Sequence, residues 1–87
     1  MIVFSEGLRI VEAEEGKVVL DVRSGVYWHL NDSVIALLEA LRDGRAFEDV
    51  VRETARAADV QETRVRGDYL AVLQELRQAR LIKGELG

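Results

Sequence analysis

The spacing of the apolar residues changes once in this sequence, at residues 31–33, and this change limits the fold more than any other feature. Before it, the segments 8–13, 17–22 and 26–30 alternate apolar and polar residues at period two, as half-buried strands do. After it, apolar residues recur at the 3.6-residue period of helices. Short turns that contain glycine separate the three strand-like segments. The sequence therefore predicts a three-stranded antiparallel meander followed by helices.

Three helices are predicted in the second part of the chain. The first begins at the N-cap cluster of residues 31–33 and ends near Gly44, where a C-terminal cap is expected. The second spans about 46–57 and the third about 62–80. Strands in one block and helices in the next predict an α+β fold of the winged helix-turn-helix type. We expect a single domain over residues 1–87, with its core at about 8–82.

Composition excludes several classes of protein. The 87 residues include no cysteine and one histidine, so there is no thiolate metal site and no cysteine nucleophile. The sequence also has no glycine-rich phosphate loop and no His or carboxylate cluster at metal-ligand spacing. We therefore expect a protein that is not an enzyme and needs no cofactor or metal.

The apolar runs and the charge bear on location and partners. No run reaches the roughly 18–20 residues of a membrane span, and the N-terminal segment lacks the pattern of a signal peptide. The net charge is −4, which argues against binding to nucleic acid or to an anionic membrane. A cytoplasmic protein is expected.

The third predicted strand raises the question of what covers its free edge. In a sheet of order 1-2-3 this strand has one open side, and its sequence VYWHL contains no Lys, Pro, Glu or Asp to guard it. Alternation places Val26, Trp28 and Leu30 on one face, of which Trp28 and Leu30 are expected to point inward, and Tyr27 and His29 on the other. Two interpretations are open: these are core and surface residues shielded by the third helix, or an extended peptide adds to the edge as a fourth strand.

The order of motifs along the chain resembles the PqqD-like family, the recognition elements of ribosomally made and modified peptides (RiPPs). The matching stretches are YWHLN, DSVIALLEALRDG, FEDVVRETARAADV and VRGDYLAVLQELRQARLI, and together they cover about residues 8–82. The resemblance implies a three-stranded sheet followed by three helices. It also implies that the leader segment of a precursor peptide binds as an extra strand, in a groove between strand three and helix three.

The resemblance implies a peptide-binding site with two sides. The strand side comprises Val26, Tyr27, Trp28, His29 and Leu30. The helix side comprises Arg66, Asp68, Tyr69, Val72, Leu73 and Leu76, of which Asp68 matches the acidic position of the family. The alternatives are that Arg66 and Asp68 are solvated helix residues and that Tyr69 and Val72 belong to the core. Gly67 is unusual within a helix. It reflects either neutral sequence drift or a role in which the missing side chain lets the bound peptide approach the helix.

The family resemblance also implies partners. The chain looks like the stand-alone form of the element, most similar to the leader-binding protein of lasso-peptide biosynthesis. Such a protein presents the leader to a separate cysteine leader peptidase, after which a cyclase acts on the core peptide. The alternative is a PqqD-type chaperone that delivers a precursor to a radical SAM enzyme.

Two other possibilities follow from the fold and the open edge. The alternative hypothesis is a winged-helix DNA-binding protein. Residues 61–83 carry a local excess of only two positive charges, which is little for contacts with phosphates. Weak self-association through the open sheet edge is also possible.

Overall fold

A computed structural model describes residues 2–14 and 16–84, with five strands and three helices in that part of the chain. Glu15, in the first predicted turn, lies outside the described residues. The elements are β1 (Ile2–Phe4), β2 (Leu8–Ala13), β3 (Gly16–Asp21), β4 (Val26–Trp28), α1 (Asp32–Arg42), α2 (Phe47–Ala58), α3 (Glu62–Gln78) and β5 (Ile82–Gly84).

The predicted meander is confirmed. The strands β2, β3 and β4 form an antiparallel sheet in that order, with β3 in the middle, and the three predicted helices follow. The strand β4 ends at Trp28 rather than at residue 30. The α+β class is therefore correct. The winged helix-turn-helix label and the extent of one domain over 1–87 stay predictions.

The inner face of β3 is marked by Val19, which joins the central cluster, whereas Val22 is exposed. Tyr27 is paired with Leu20 and Trp28 with Val19, so Tyr27 lies on the outer face and Trp28 on the inner one. Val18 and Val19 are both buried although they point to opposite faces of the strand, so burial does not alternate along this part of β3.

A second sheet was not predicted. The strands β1 and β5 pair antiparallel, with Val3 opposite Lys83 and Phe4 opposite Ile82. Ser5 also donates its backbone N–H to Leu81 O at 2.8 Å, which extends the contact between the two ends of the described chain. Each strand has only three residues, too few for a periodic pattern to stand out in the sequence.

The start of α1 is capped as predicted. Asn31 is the N-cap, and its side-chain Oδ1 accepts a hydrogen bond from the backbone N–H of Val34 at 2.9 Å. This cap ends the extended segment that follows β4 and turns the chain into the first helix. At the other end Asp43 is the C-cap, and Gly44 follows with a φ of 87°.

One hydrophobic cluster connects the helices to the inner face of the larger sheet and to β5. Its fully buried members are Leu37, Leu38, Leu76, Leu81, Val19 and Val51. None of the helices in the described part of the chain is long and apolar enough to cross a membrane.

Replacing Leu76 with alanine tests whether this residue supports the fold. Its side chain is 0% exposed, so we expect Leu76→Ala to lower the free energy of unfolding by about 2–5 kcal/mol. Leu70, on the same helix and 41% exposed, is the control, and Leu70→Ala should cost less than about 1 kcal/mol. Urea unfolding measures both. Equal losses for the two variants would contradict the assignment of Leu76 to the core.

Candidate functional site

The open edge of the larger sheet is the candidate site, because main-chain groups of β4 point away from the rest of the fold. On the other side of β3, Val22 donates its backbone N–H to Gly7 O at 2.9 Å, towards β2. Main-chain groups of successive strand residues point to alternate sides. Those of Asp21 and Val19 therefore point towards β4, where their partners are Val26 and Trp28.

Tyr27 stands between these two hydrogen-bonded positions. Its main-chain N–H and C=O consequently point away from β3, and the described part of the chain provides no further strand beside them. The side chains at this edge are also accessible, since Val26 is 51% and Tyr27 55% exposed. An extended polypeptide could pair with Tyr27 here without displacing any strand.

The segment 23–33, which contains β4, is joined to the region of α3 near both of its ends. Before the strand, Arg23 Nη2 donates to Arg80 O at 3.1 Å, just beyond the end of α3. After the strand, the Tyr69 hydroxyl donates to Ser33 O at 3.2 Å and lies 3.0 Å from Thr54 Oγ1. These contacts fix the two ends of the segment against the helix.

Apolar residues that are only partly buried lie both in the segment around β4 and on α3. Trp28 and Leu30 on the strand side pack against the core, as do Val72 and Ala79 on the helix side. His29 is exposed. A depression of about 440 Å³ lies just after the C-terminal end of β4, next to the turn between β2 and β3. Its lining residues are Ala13, Glu14, Gly16, Lys17, Val18, His29, Leu30 and Asp32.

Five of the six predicted residues of α3 differ in how far they are buried. Tyr69, Leu73 and Leu76 are buried in the core, Val72 is half-buried, and Asp68 is exposed. Val72 lies four residues after Asp68, so the two share one side of the helix.

Arg66 lies on the other side of α3. Successive residues of a helix are about 100° apart around its axis. Arg66 is two residues before Asp68, so it lies nearly on the opposite side of the helix. Its guanidinium pairs with the Glu48 carboxylate of α2, with Nη2 at 2.6 Å and Nε at 3.1 Å from Oε1. The side-chain hydrogen bonds from Arg66 hold the pKa of Glu48 below its usual value. The structure therefore does not bring Arg66 and Asp68 together.

Asp21 is a structural residue of the site that the sequence analysis did not single out. Its Oδ1 accepts hydrogen bonds from Arg23 N at 3.0 Å and Arg23 Nε at 3.3 Å, and its Oδ2 accepts one from Ser24 Oγ at 3.1 Å. These bonds hold the turn at 22–25 that leads into β4. The one available signal is the sequence DVRSG at 21–25, in which an Asp lies three residues before a Ser-Gly pair, a composition typical of a side-chain-stabilised turn.

The pKa of Asp21 reflects this network. Burial by itself raises the pKa, but the hydrogen bonds from the backbone and side chain of Arg23 and from Ser24 outweigh it, so the pKa lies below its usual value. No group of His, Asp and Glu in the described ranges is arranged to hold a metal ion.

Two comparisons relate this chain to known proteins. A family model described as coenzyme PQQ synthesis protein D (PqqD) matches residues 16–82. A solved structure of lasso peptide synthetase B1 complexed with the leader peptide is similar, with a TM-score of 0.85, 26% identity and coverage of 95% of this chain and 98% of that chain. The structure of TbiB1 in complex with the TbiA(beta) leader peptide shares the fold, with a TM-score of 0.79, 21% identity and coverage of 94% and 95%. Comparison with curated proteins gives no significant match.

The pH dependence of stability tests the role of Asp21. Because its pKa is lowered in the folded state, Asp21 stabilises the fold above its unfolded pKa of about 4, and this contribution is lost as pH falls through the folded pKa. We expect Asp21→Asn to be less stable than the parent at pH 7, and the difference to narrow at pH 3. Urea unfolding of both proteins at the two pH values measures this. A difference that is the same at pH 7 and pH 3 would contradict the role.

Proposed function

The chain belongs to the PqqD family, and we propose that it binds the leader segment of a ribosomally made precursor peptide by strand addition to β4. The observation that carries this proposal is the outward direction of the Tyr27 main-chain N–H and C=O at an exposed edge. The similar lasso peptide synthetase B1 was solved with a leader peptide, which supports the same class of ligand for this chain.

The predicted site residues divide into direct and supporting roles. Val26, Tyr27 and His29 contact the peptide on the exposed edge, and Trp28 and Leu30 form the apolar side of the groove. On the helix, Asp68 and Val72 contact the peptide. The buried Tyr69, Leu73 and Leu76 lie below them and hold α3 in place, and Arg66 fixes α3 to α2 through Glu48.

The proposed mechanism involves no chemistry by this chain. It holds the leader so that the attached precursor stays close to a separate processing enzyme, which raises the effective concentration of the reacting segment. We propose that this enzyme is the cysteine leader peptidase of a lasso-peptide pathway, with the cyclase acting afterwards. Delivery of a precursor to a radical SAM enzyme is the second candidate; it follows from the resemblance to PqqD-type proteins, and the matching family model is described as coenzyme PQQ synthesis protein D.

Titration with a labelled leader peptide tests the proposal. Synthetic leaders from short reading frames that neighbour this gene are titrated with the protein, and fluorescence anisotropy follows binding. We expect saturable binding with a Kd of about 1 μM or lower for one leader and none for its scrambled sequence. A folded protein that binds no neighbouring leader would overturn the proposal. Addition of the leader peptidase or the radical SAM enzyme from the same gene neighbourhood then decides between the two partners.

Replacing Tyr27 with proline tests strand addition separately from side-chain contact. Proline removes the N–H that points to the open edge, but it removes no hydrogen bond to β3, and edge strands tolerate proline. We expect Tyr27→Pro to weaken leader binding at least about fivefold, the equivalent of about 1 kcal/mol for one hydrogen bond. Tyr27→Ala, which also loses the aromatic side chain but keeps the main-chain donor, is the control, and the fivefold loss is measured relative to it. Parental affinity in a folded Tyr27→Pro protein would exclude pairing at this position.

A further inference from the structure

A second surface, beside the sheet β1–β5, is strongly basic although the chain as a whole is acidic. A groove of about 670 Å³ is lined by Arg23, Arg77, Arg80 and Lys83, with Glu6 as its one carboxylate among the described residues; Val3, Phe4, Ser5 and Ile82 complete the lining. The net charge of the chain is −4, so four cations around one groove are a marked local concentration.

An exposed apolar residue lies among these cations. Val3 is paired with Lys83 across the two strands, so both side chains are on the same face of the small sheet. Phe4 and Ile82 are on the opposite face, which packs against the core. Val3 remains 46% exposed. The surface therefore combines positive charge with a small apolar patch.

Only two of the four cationic side chains, those of Arg23 and Arg77, form hydrogen bonds within the described part of the chain. Arg23 Nη2 donates to Arg80 O, and Arg77 Nη2 donates to Gly84 O, so both side chains tie the end of α3 to its surroundings. The side chains of Arg80 and Lys83 form no ion pair among residues 2–14 and 16–84.

The backbone at Arg80 gives an independent indication. Leu81 donates its N–H to Leu76 O at 2.9 Å and Arg80 donates to Arg77 O at 2.9 Å, the pattern of a Schellman helix ending. The residue at this position adopts a left-handed conformation and is usually glycine, yet here it is Arg80, with a φ of 63°. Glycine would adopt this conformation with less strain, as it would at Asp59 after α2, so Arg80 presents an exposed side chain at a position where local stability does not require one.

We propose that this groove binds an acidic segment of a protein partner. The carboxylates of this partner segment pair with the Arg80 guanidinium and the Lys83 ammonium, and a neighbouring apolar side chain of the segment packs on Val3. A protein segment fits better than nucleic acid, because the exposed Val3 offers nothing to a phosphate backbone and the net charge of −4 repels an extended polyanion. The proposal does not depend on leader binding at β4.

NMR titration tests this site with a defined probe. The probe is a synthetic twelve-residue peptide of alternating Glu and Leu, and its matched control has Gln in place of every Glu. We expect amide resonances of residues 3–6 and 80–84 to shift saturably with the Glu peptide, those of 26–30 to remain unchanged, and affinity to fall as salt is raised.

A double substitution, Arg80→Gly with Lys83→Gln, separates binding from stability. Removing two cations should weaken binding of the Glu peptide at least about fivefold. Arg80→Gly alone should leave the urea midpoint unchanged or raise it, because glycine suits the left-handed position. Arg56→Gln with Arg64→Gln, on exposed helix positions outside this groove, removes the same charge and should bind the probe like the parent.

The proposal would be overturned by equal binding of the Glu and Gln peptides, by shifts that map outside the groove, or by parental affinity in the Arg80→Gly/Lys83→Gln protein. Tighter binding of a short DNA duplex than of the Glu peptide at the same residues would also overturn it, in favour of a phosphate ligand. Leader affinity should be unchanged in that double variant, so the two sites succeed or fail separately.

Discussion

The buried carboxylate of Asp21 holds the hairpin on which the candidate binding edge depends. Burial of a charged group is unfavourable unless hydrogen bonds replace its water, and here Arg23 and Ser24 supply them. Arg23 also reaches Arg80 O beyond α3, so the turn is connected both to the carboxylate and to the helix. The chain therefore enters β4 in a fixed register, and that register directs the main chain of Tyr27 to the open side.

The order of the larger elements was predictable because each carries a long signal. Alternation over 8–13 and 17–22, the Asn31 cap and the helical period after it specify a meander followed by helices, as observed. The sheet β1–β5 could not be predicted, since three residues define no period and their pairing depends on how the two ends of the described chain meet. The core face of β3 could not be predicted either, because the adjacent Val18 and Val19 are both apolar and both buried.

The surroundings of the strand residues were easier to predict than those of the helix residues. Trp28 and Leu30 are half-buried and Tyr27 is exposed, as alternation along one strand predicts, whereas Val26, on the same face as Trp28, is exposed. On α3 the family pattern gave residue positions without their surroundings. The ion pair of Arg66 with Glu48 joins residues 18 apart in the chain, and only the packing of α2 on α3 brings them together. The role of Asp21 likewise depends on hydrogen bonds that a sequence pattern only suggests.

The short length of β4 restricts what its edge can bind. The main-chain N–H and C=O of Tyr27 contribute about 1 kcal/mol each when paired, whereas micromolar affinity corresponds to about 8 kcal/mol. Most of the binding free energy must therefore come from side chains that fit beside Trp28 and Val72 or in the depression next to His29. Main-chain pairing between two copies of β4 would gain only the same small contribution, so the short edge by itself gives little drive to self-association.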